Sequence, residues 1–435
     1  MGKSNDLINI QLKKYTMNIP FSPPYIDQLV INEVTETLKS NWITTGPKVK
    51  ALEFEVQKLT GSKATICVNS WTSAAIMMLK WFGIKEGDEV IVPAYTYCAT
   101  ALSVLHCGAK PIMVDILDDF TIDPQKIKEA ITPKTKAIIA VDIAGLPCKY
   151  DEINSIIKDP DIKKMFVSES DKQFFMGKII LISDAAHSIG ALYDDLPSAQ
   201  MADVTIFSFH AVKNITTAEG GCICLNLPAV FDCKEEFNYL KICSLNGQTK
   251  DAFEKTNSKD WRYDIIFKGL KINMPDICAA IGLAQIKQYK TILLPKRKEI
   301  ALYYCSSFNN YDWFVPPTLE DDDRESSYHI FPLRIKDCTE SERDEVIDFL
   351  MNKGISVNVH FMPMPMLTYF KSLGYKMTDY PNSYQQYACE ISLPIYPQLT
   401  SNELDYIVEN VITGVEMVFD KQKTENLILT SNNGY

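Results

Sequence analysis

The chain is 435 residues long, with 46% hydrophobic, 11% aromatic and 23% charged residues. That size and balance allow a large buried core and exclude wholesale disorder, a collagen-like rod and a disulfide-stapled mini-protein. Forty-four basic against fifty-five acidic residues leave a net charge of −11. This argues against a nucleic-acid-coating surface, while a local basic pocket for a phosphorylated small molecule remains open.

The first residues, MGKSNDLINIQLKKY, lack an apolar stretch, so no secretory signal is read there. Asp6 stands where a myristoylation pattern needs Ser or Thr. Twelve scattered cysteines with no CxxC pair read as reduced core thiols. The expected location is the cytoplasm.

Residues 1–19 are expected to form a loosely held arm. Ile26, Leu29, Val30, Val34 and Leu38 then recur at helical spacing. ATICV (64–68) is a buried strand, and AAIMMLKWF (74–82) is a helix stopped by Gly83. The charge-free run from Val90 to Ala109 is long enough to span a membrane, but Pro93, two tyrosines and His106 interrupt it. A strand, a loop and a helix explain it better, and no membrane partner is expected. DEVIVP, KPIMVD and KAIIAVDIAG are further strands, and Asp123-Pro124 opens a helix in cap-then-proline order. KIILISD (178–184) and DVTIFSF (203–209) continue the alternation. It predicts a large α/β domain over 20–275 with a mostly parallel sheet covered on both faces.

The pattern changes near residue 276. Two long helices, SYHIFPLRI as a strand, ERDEVIDFLMNKG as a helix and ISVNVHF as a strand predict a smaller C-terminal α+β domain over 276–420. Thr400 and Glu403 form a capping-box pattern before ELDYIVENVITGVEMVF. Residues 421–435 read as a polar tail, and 159–177 and 244–268 as loops.

Three segments carry chemistry, each where a strand should give way to a loop or helix; in parallel sheets ligands collect at such ends. Asn69-Ser70-Trp71-Thr72-Ser73 offers hydroxyls and free N–H groups at a helix start, which suit phosphate; a plain helix cap is the alternative. Asp184 ends a buried apolar strand, where a carboxylate needs a partner, and His187 lies within reach; a capping Asp and a structural His are the alternative. Lys213 sits in an apolar stretch (FSFHAVKN), where desolvation would make its amine a nucleophile toward carbonyls; the alternative is a surface lysine on a turn. A phosphate cradle, a buried carboxylate and a nucleophilic lysine at three strand ends together match the needs of pyridoxal phosphate. The five histidines form no ligand-spaced pair, so no metal is expected.

These residues, with WITTGPKV (42–49), VNSWTSAA (68–75), GDEVIVPAYTYCAT (87–100), SDAAHSIGA (183–191), FSFHAVKNITTAEGG (207–221) and NMPDICAAIGLAQI (273–286), resemble the DegT/DnrJ/EryC1/StrS family of pyridoxal-phosphate-dependent sugar aminotransferases. The resemblance implies a fold-type-I transferase, working as a homodimer with active sites at the subunit interface. It implies Lys213 as the lysine that holds the cofactor's aldehyde and Asp184 as the partner of its pyridine nitrogen. It places His187 near the phenolic oxygen, Thr72, Ser73 and Ser208 on the phosphate, and Tyr97 stacked on the ring. Three positions depart from the family pattern: Trp71 replaces a small residue, Lys271 replaces an asparagine that reaches the neighbouring subunit's phosphate, with Asn273 nearby, and Pro365 replaces a late histidine.

The implied reaction moves the amino group of L-glutamate onto a nucleotide-linked keto-sugar, with a 4-keto-6-deoxyhexose favoured. Alternatives are a sugar dehydratase of the same family, against which Lys213 speaks because those carry histidine there, and a non-catalytic cofactor-binding regulator.

Overall fold

The computed structural model describes residues 17–253 and 261–432, with side chains to residue 419. The main strands are β1 (Ala64–Val68), β2 (Glu89–Pro93), β3 (Lys110–Val114), β4 (Thr135–Val141) and β5 (Ile180–Asp184). The short β6 (Leu192–Tyr193) and β7 (Leu196–Pro197) precede β8 (Val204–Ser208) and β9 (Gly221–Leu225). Seven of these form one sheet in the order β1-β9-β8-β5-β4-β2-β3, in which only β9 runs against its neighbours. Apolar residues fill both faces, as the unbroken hydrophobic runs require: Ile180 and Ile182 enter one core, Ile179 and Leu181 another. The run from Val90 to Ala109 is strand, loop and the helix Ala99–Leu105, as read from its polar interruptions.

Because β1, β2, β5 and β8 point the same way, the residues following them converge on one edge of the sheet. β9 begins at that edge. A Cβ on Gly221 would lie 2.7 Å from the Ser70 carbonyl carbon, so only glycine lets β9 pass beneath that turn.

A second core collects Ile300, Tyr304, Phe308, Leu333, Val346 and Val411 around the sheet β10 (Phe314–Val315), β12 (Phe331–Ile335) and β13 (Glu390–Leu393). β11 (Arg324–Glu325) pairs instead with β6, in a separate three-stranded sheet with β7, and so ties the later residues to the segment between β5 and β8. Ile19 belongs to this second core: its N–H donates to Gly354 O at 2.8 Å, and it is fully buried. Residues 1–16 of the expected arm lie outside the described residues.

Four local expectations are corrected. Residues 159–177 hold two helices, Pro160–Met165 and Asp171–Met176, capped by Asp159 and Ser170 and stopped at the left-handed Gly177. These are the same cap signals that mark Asp123-Pro124. ISVNVHF is not a strand: it makes single bridges at Ile355 and Asn358, because the Val359 and His360 N–H groups bond to the Asn358 and Glu390 side chains. β9 has no counterpart among the strands read from sequence. Finally, the last helix runs Ser401–Asn432, through most of the expected tail, since no proline interrupts it. All twelve cysteines are free thiols, and among the described residues no helix is long and apolar enough to cross a membrane.

Candidate active site at the carboxyl ends of the strands

A cavity of about 630 Å³ opens at the strand edge. Its sheet-side wall comes from Ser70, Trp71 and Thr72 after β1, Tyr97 after β2, Asp184 and His187 after β5, and Ser208 and Lys213 after β8. Ser70 caps the helix Trp71–Trp81, accepting from Ser73 N–H at 3.1 Å. That leaves Thr72 and the helix start facing the cavity. Trp71 does not obstruct it: the indole is buried in the core and donates to Ile206 O at 3.1 Å.

Lys213 stands on a loop pinned at both ends. Phe209 N–H bonds Gly220 O at 2.9 Å, and the next residue, Asn214, donates from Nδ2 to Ser327 O at 2.9 Å and to Tyr289 Oη at 3.1 Å. Lys213 is half-buried and lines the cavity. Burial pushes its pKa down to about 8, with Asp184 pulling the other way. Asp184 is 5% exposed, and burial lifts its carboxyl to about 7. Thr100 Oγ1 donates to it at 2.8 Å and Ala186 N–H at 3.2 Å, which restrain that rise. A nucleophilic amine close to neutrality and a carboxyl ready to hold a proton thus share one cavity.

The opposite wall comes from later in the chain: His329, Asn358, His360, Phe361 and Ile395, with Phe21 from the start. His187 packs between His329 (ring centroids 4.5 Å apart) and Phe361 (5.9 Å, stacked). Four of the five histidines therefore line this cavity, and only His106 does not. Sequence spacing carried no sign of that convergence. Burial keeps His187 and His329 neutral, their pKa values well below the ordinary range. Among the described residues no cluster of three or more His, Cys, Asp or Glu could hold a metal.

Three expected site residues lie off the cavity lining. Ser73 Oγ bonds the Ser70 hydroxyl at 2.9 Å and is absorbed in the cap. Lys271 bonds Asn273, whose Nδ2 donates to Thr45 Oγ1 at 2.6 Å. Asn273 faces a different, larger cavity of about 760 Å³, which holds neither Lys213 nor Asp184. Pro365 is buried in the turn Met364–Met366 and does not reach the site.

The lining fits pyridoxal phosphate on this structure's own terms. Among the described residues His187 Nδ1 is buried without a partner and no cation is bonded to Asp184, while Ser70, Thr72 and Ser208 line the cavity beside a helix N-terminus. A mostly parallel sheet carrying these groups at its carboxyl edge is the fold-type-I architecture of pyridoxal-phosphate-dependent transferases. The sequence matches the DegT/DnrJ/EryC1/StrS aminotransferase family over residues 24–167 and 175–412, and the chain belongs to that family of sugar aminotransferases. SpsC of Bacillus subtilis, a spore coat polysaccharide biosynthesis protein, is 34% identical over 398 residues, covering 90% of this chain and 96% of its own. Spr1654 of Streptococcus pneumoniae, described as a sugar aminotransferase and solved in its PMP form, superimposes with a TM-score of 0.88 at 42% identity, covering 94% of this chain and all of that one. PseC of Helicobacter pylori, an aminotransferase in pseudoaminic acid biosynthesis, gives a TM-score of 0.79 at 26% identity, covering 92% and 100%.

Proposed function

We propose that this enzyme transfers the amino group of L-glutamate to a nucleotide-linked keto-sugar, most naturally a 4-keto-6-deoxyhexose, making an amino sugar for surface polysaccharide or another glycan in the cytoplasm. The observation that carries the reading is the presence of Lys213 and Asp184 in one cavity, both with pKa values displaced toward neutrality. The work of SpsC and PseC on polysaccharide and pseudoaminic acid supports the sugar side.

When bound, pyridoxal phosphate supplies an aldehyde for exchange with amines and a ring that withdraws electrons from the substrate's Cα. In this reading Lys213 anchors the cofactor and, once its amine is free, takes the Cα proton. Asp184 would hold the proton at the ring nitrogen, and His187, whose Nδ1 is buried without a partner, would lie near the phenolic oxygen. Thr72 and Ser208 would serve the phosphate, with Ser73 supporting that turn through its bond to Ser70 Oγ, and Tyr97 would cover the ring. Residues 20–275 would hold the cofactor, while 276–420 would close over the substrate. Lys271 or Asn273 would reach the phosphate of a second copy, so the functional unit is a homodimer.

Incubation with L-glutamate and a panel of keto-sugar nucleotides, read by mass spectrometry, tests the function; amination of none of them would overturn it. A catalytically active monomer at assay concentration would defeat the shared site. Lys271→Ala should weaken cofactor affinity about tenfold, since charge-assisted hydrogen bonds are about twice as strong as neutral ones. Unchanged affinity transfers the role to Asn273.

A further inference from the structure

His360 is held by an unusually directional set of contacts. Its Nδ1 lies 2.9 Å from Ser392 Oγ, and the Ser392 hydroxyl in turn donates to Glu390 Oε1. Its own backbone N–H donates to Glu390 Oε2 at 3.0 Å, and its carbonyl accepts from Tyr95 Oη at 2.6 Å. Phe21 stacks on the ring at 5.4 Å. Segments 358–360 and 390–392 are joined by two backbone hydrogen bonds between Asn358 and Ser392, at 2.7 and 3.2 Å. The imidazole cannot readily turn.

Its tautomer follows from a neighbour. Asn358 Oδ1 accepts from Val359 N–H at 2.8 Å, and a backbone N–H can only donate, so the amide orientation is settled. Asn358 Nδ2 therefore faces His360 Nε2, at 3.4 Å. Nε2 must be the bare nitrogen, and the proton sits on Nδ1, donated to Ser392. Burial and the neighbouring Lys213 push the His360 pKa down to about 3, so the ring stays neutral. Burial lifts the Glu390 carboxyl to about 8, so it can itself be neutral near pH 7. The direction of the chain is then still set from the Asn358 end.

Asn358 and His360 both line the cavity that holds Lys213. His360 Nε2 is an acceptor and Asn358 Nδ2 a donor, and their mutual contact is long. A hydroxyl group both donates and accepts, and would satisfy each of them better than they satisfy one another. A carboxylate or phosphate oxygen would meet the Nε2 lone pair with a lone pair of its own. A methyl group would leave both unpaired.

Building on the sugar-aminotransferase reading, we propose that Asn358 and His360 recognise one hydroxyl of the amino-acceptor sugar, with Ser392 and Glu390 as the positioning residues that fix the histidine's tautomer. Sites built to bond a hydroxyl reject the analogue lacking it far more strongly than apolar pockets reject an extra group.

The test pairs nucleotide-linked keto-sugars that differ by one ring hydroxyl and compares their kcat/KM values. The parent should prefer the hydroxyl-bearing member of one pair by about a hundredfold or more, and His360→Phe should bring that ratio to within about threefold of unity. Asn358→Ala, at a more exposed position, should lower the same ratio and serves if His360→Phe does not fold. Nitrogen-15 histidine spectra of the holoenzyme give an independent readout: His360 should be protonated on Nδ1 alone in the parent and lose that fixed tautomer in Ser392→Ala. An Nε2-protonated ring in the parent, or a hydroxyl preference untouched in folded His360→Phe, would overturn the site. If the parent aminates no keto-sugar, the transferase reading fails instead, and the spectra still decide the tautomer.

Discussion

The two walls of the cavity differ in how they were made. On the sheet side, each group follows a strand of the large sheet directly: Thr72 after β1, Asp184 at the end of β5, Ser208 at the end of β8 and Lys213 five residues on. Backbone hydrogen bonding places them, so their positions follow from strand order. On the opposite side, His329, Asn358, His360 and Phe361 sit in irregular chain, and side-chain partners far away in sequence orient them. His329 Nδ1 meets Asn214 Oδ1 at 2.8 Å across 115 residues, and His360 leans on Ser392 across 32. The first wall holds the groups proposed to serve the cofactor, and the second holds histidines fixed by partners distant in sequence. Variation on the second can change the substrate without disturbing the reaction.

That division can be broken most sharply at Lys213. Lys213→Ala should abolish turnover while thermal unfolding stays close to the parent, because the lysine contributes no described hydrogen bond through its side chain. Activity within tenfold of the parent would refute its role, since losing a catalytic acid or base costs about a hundredfold or more. Its pH behaviour sharpens the same point. The folded pKa lies near 8, below the ordinary 10.5, so the neutral amine becomes the major form only above pH 8. The rate at which the apo enzyme captures pyridoxal phosphate, followed by absorbance, should rise about tenfold per unit below pH 8 and level off above it.

Asp184→Asn should keep the cofactor but slow the glutamate half-reaction about a hundredfold, as a neutral amide cannot hold the ring nitrogen protonated. Stability should move the other way. The carboxyl's folded pKa of about 7 exceeds its ordinary value of 3.8. Its contribution to stability is therefore full below about pH 4 and lost as pH rises through 7. The apo Asn variant should unfold at a higher temperature than the apo parent at pH 8, with the gap closing at pH 4. A gain at both pH values would point to packing instead of charge.

A smaller effect is expected at Thr100, which acts through Asp184. Thr100→Val removes the 2.8 Å hydrogen bond to Asp184. It should cost about 1–2 kcal/mol of support for the carboxylate and slow the half-reaction about tenfold. A rate equal to the parent's would show that Ala186 N–H alone suffices to hold the carboxyl.

Much of the sheet wall was legible in the sequence because its signals are local. An apolar run followed by Ser-Trp-Thr-Ser, by Asp-Ala-Ala-His or by Phe-His-Ala-Val-Lys marks both the strand and what it presents. The parallel sheet followed from strands separated by helices. The two short helices within 159–177 carried equally local cap signals and needed only to be read. The opposite wall had no such signal. ISVNVHF has the alternation of a strand, yet side-chain acceptors from Asn358 and Glu390 replace its ladder partners and bend the chain, so that His360 enters the cavity. Ser73, Lys271 and Asn273 carry the chemistry their motifs suggest, and within one chain their polar atoms bond to Ser70, to each other and to Thr45. Sequence determines which groups stand at the end of a strand, because hydrogen bonding and periodicity act over a few residues. Which histidines meet, which hydroxyl is already taken and which tautomer a ring adopts depend on contacts between residues dozens to hundreds apart, and only the packed tertiary structure decides those.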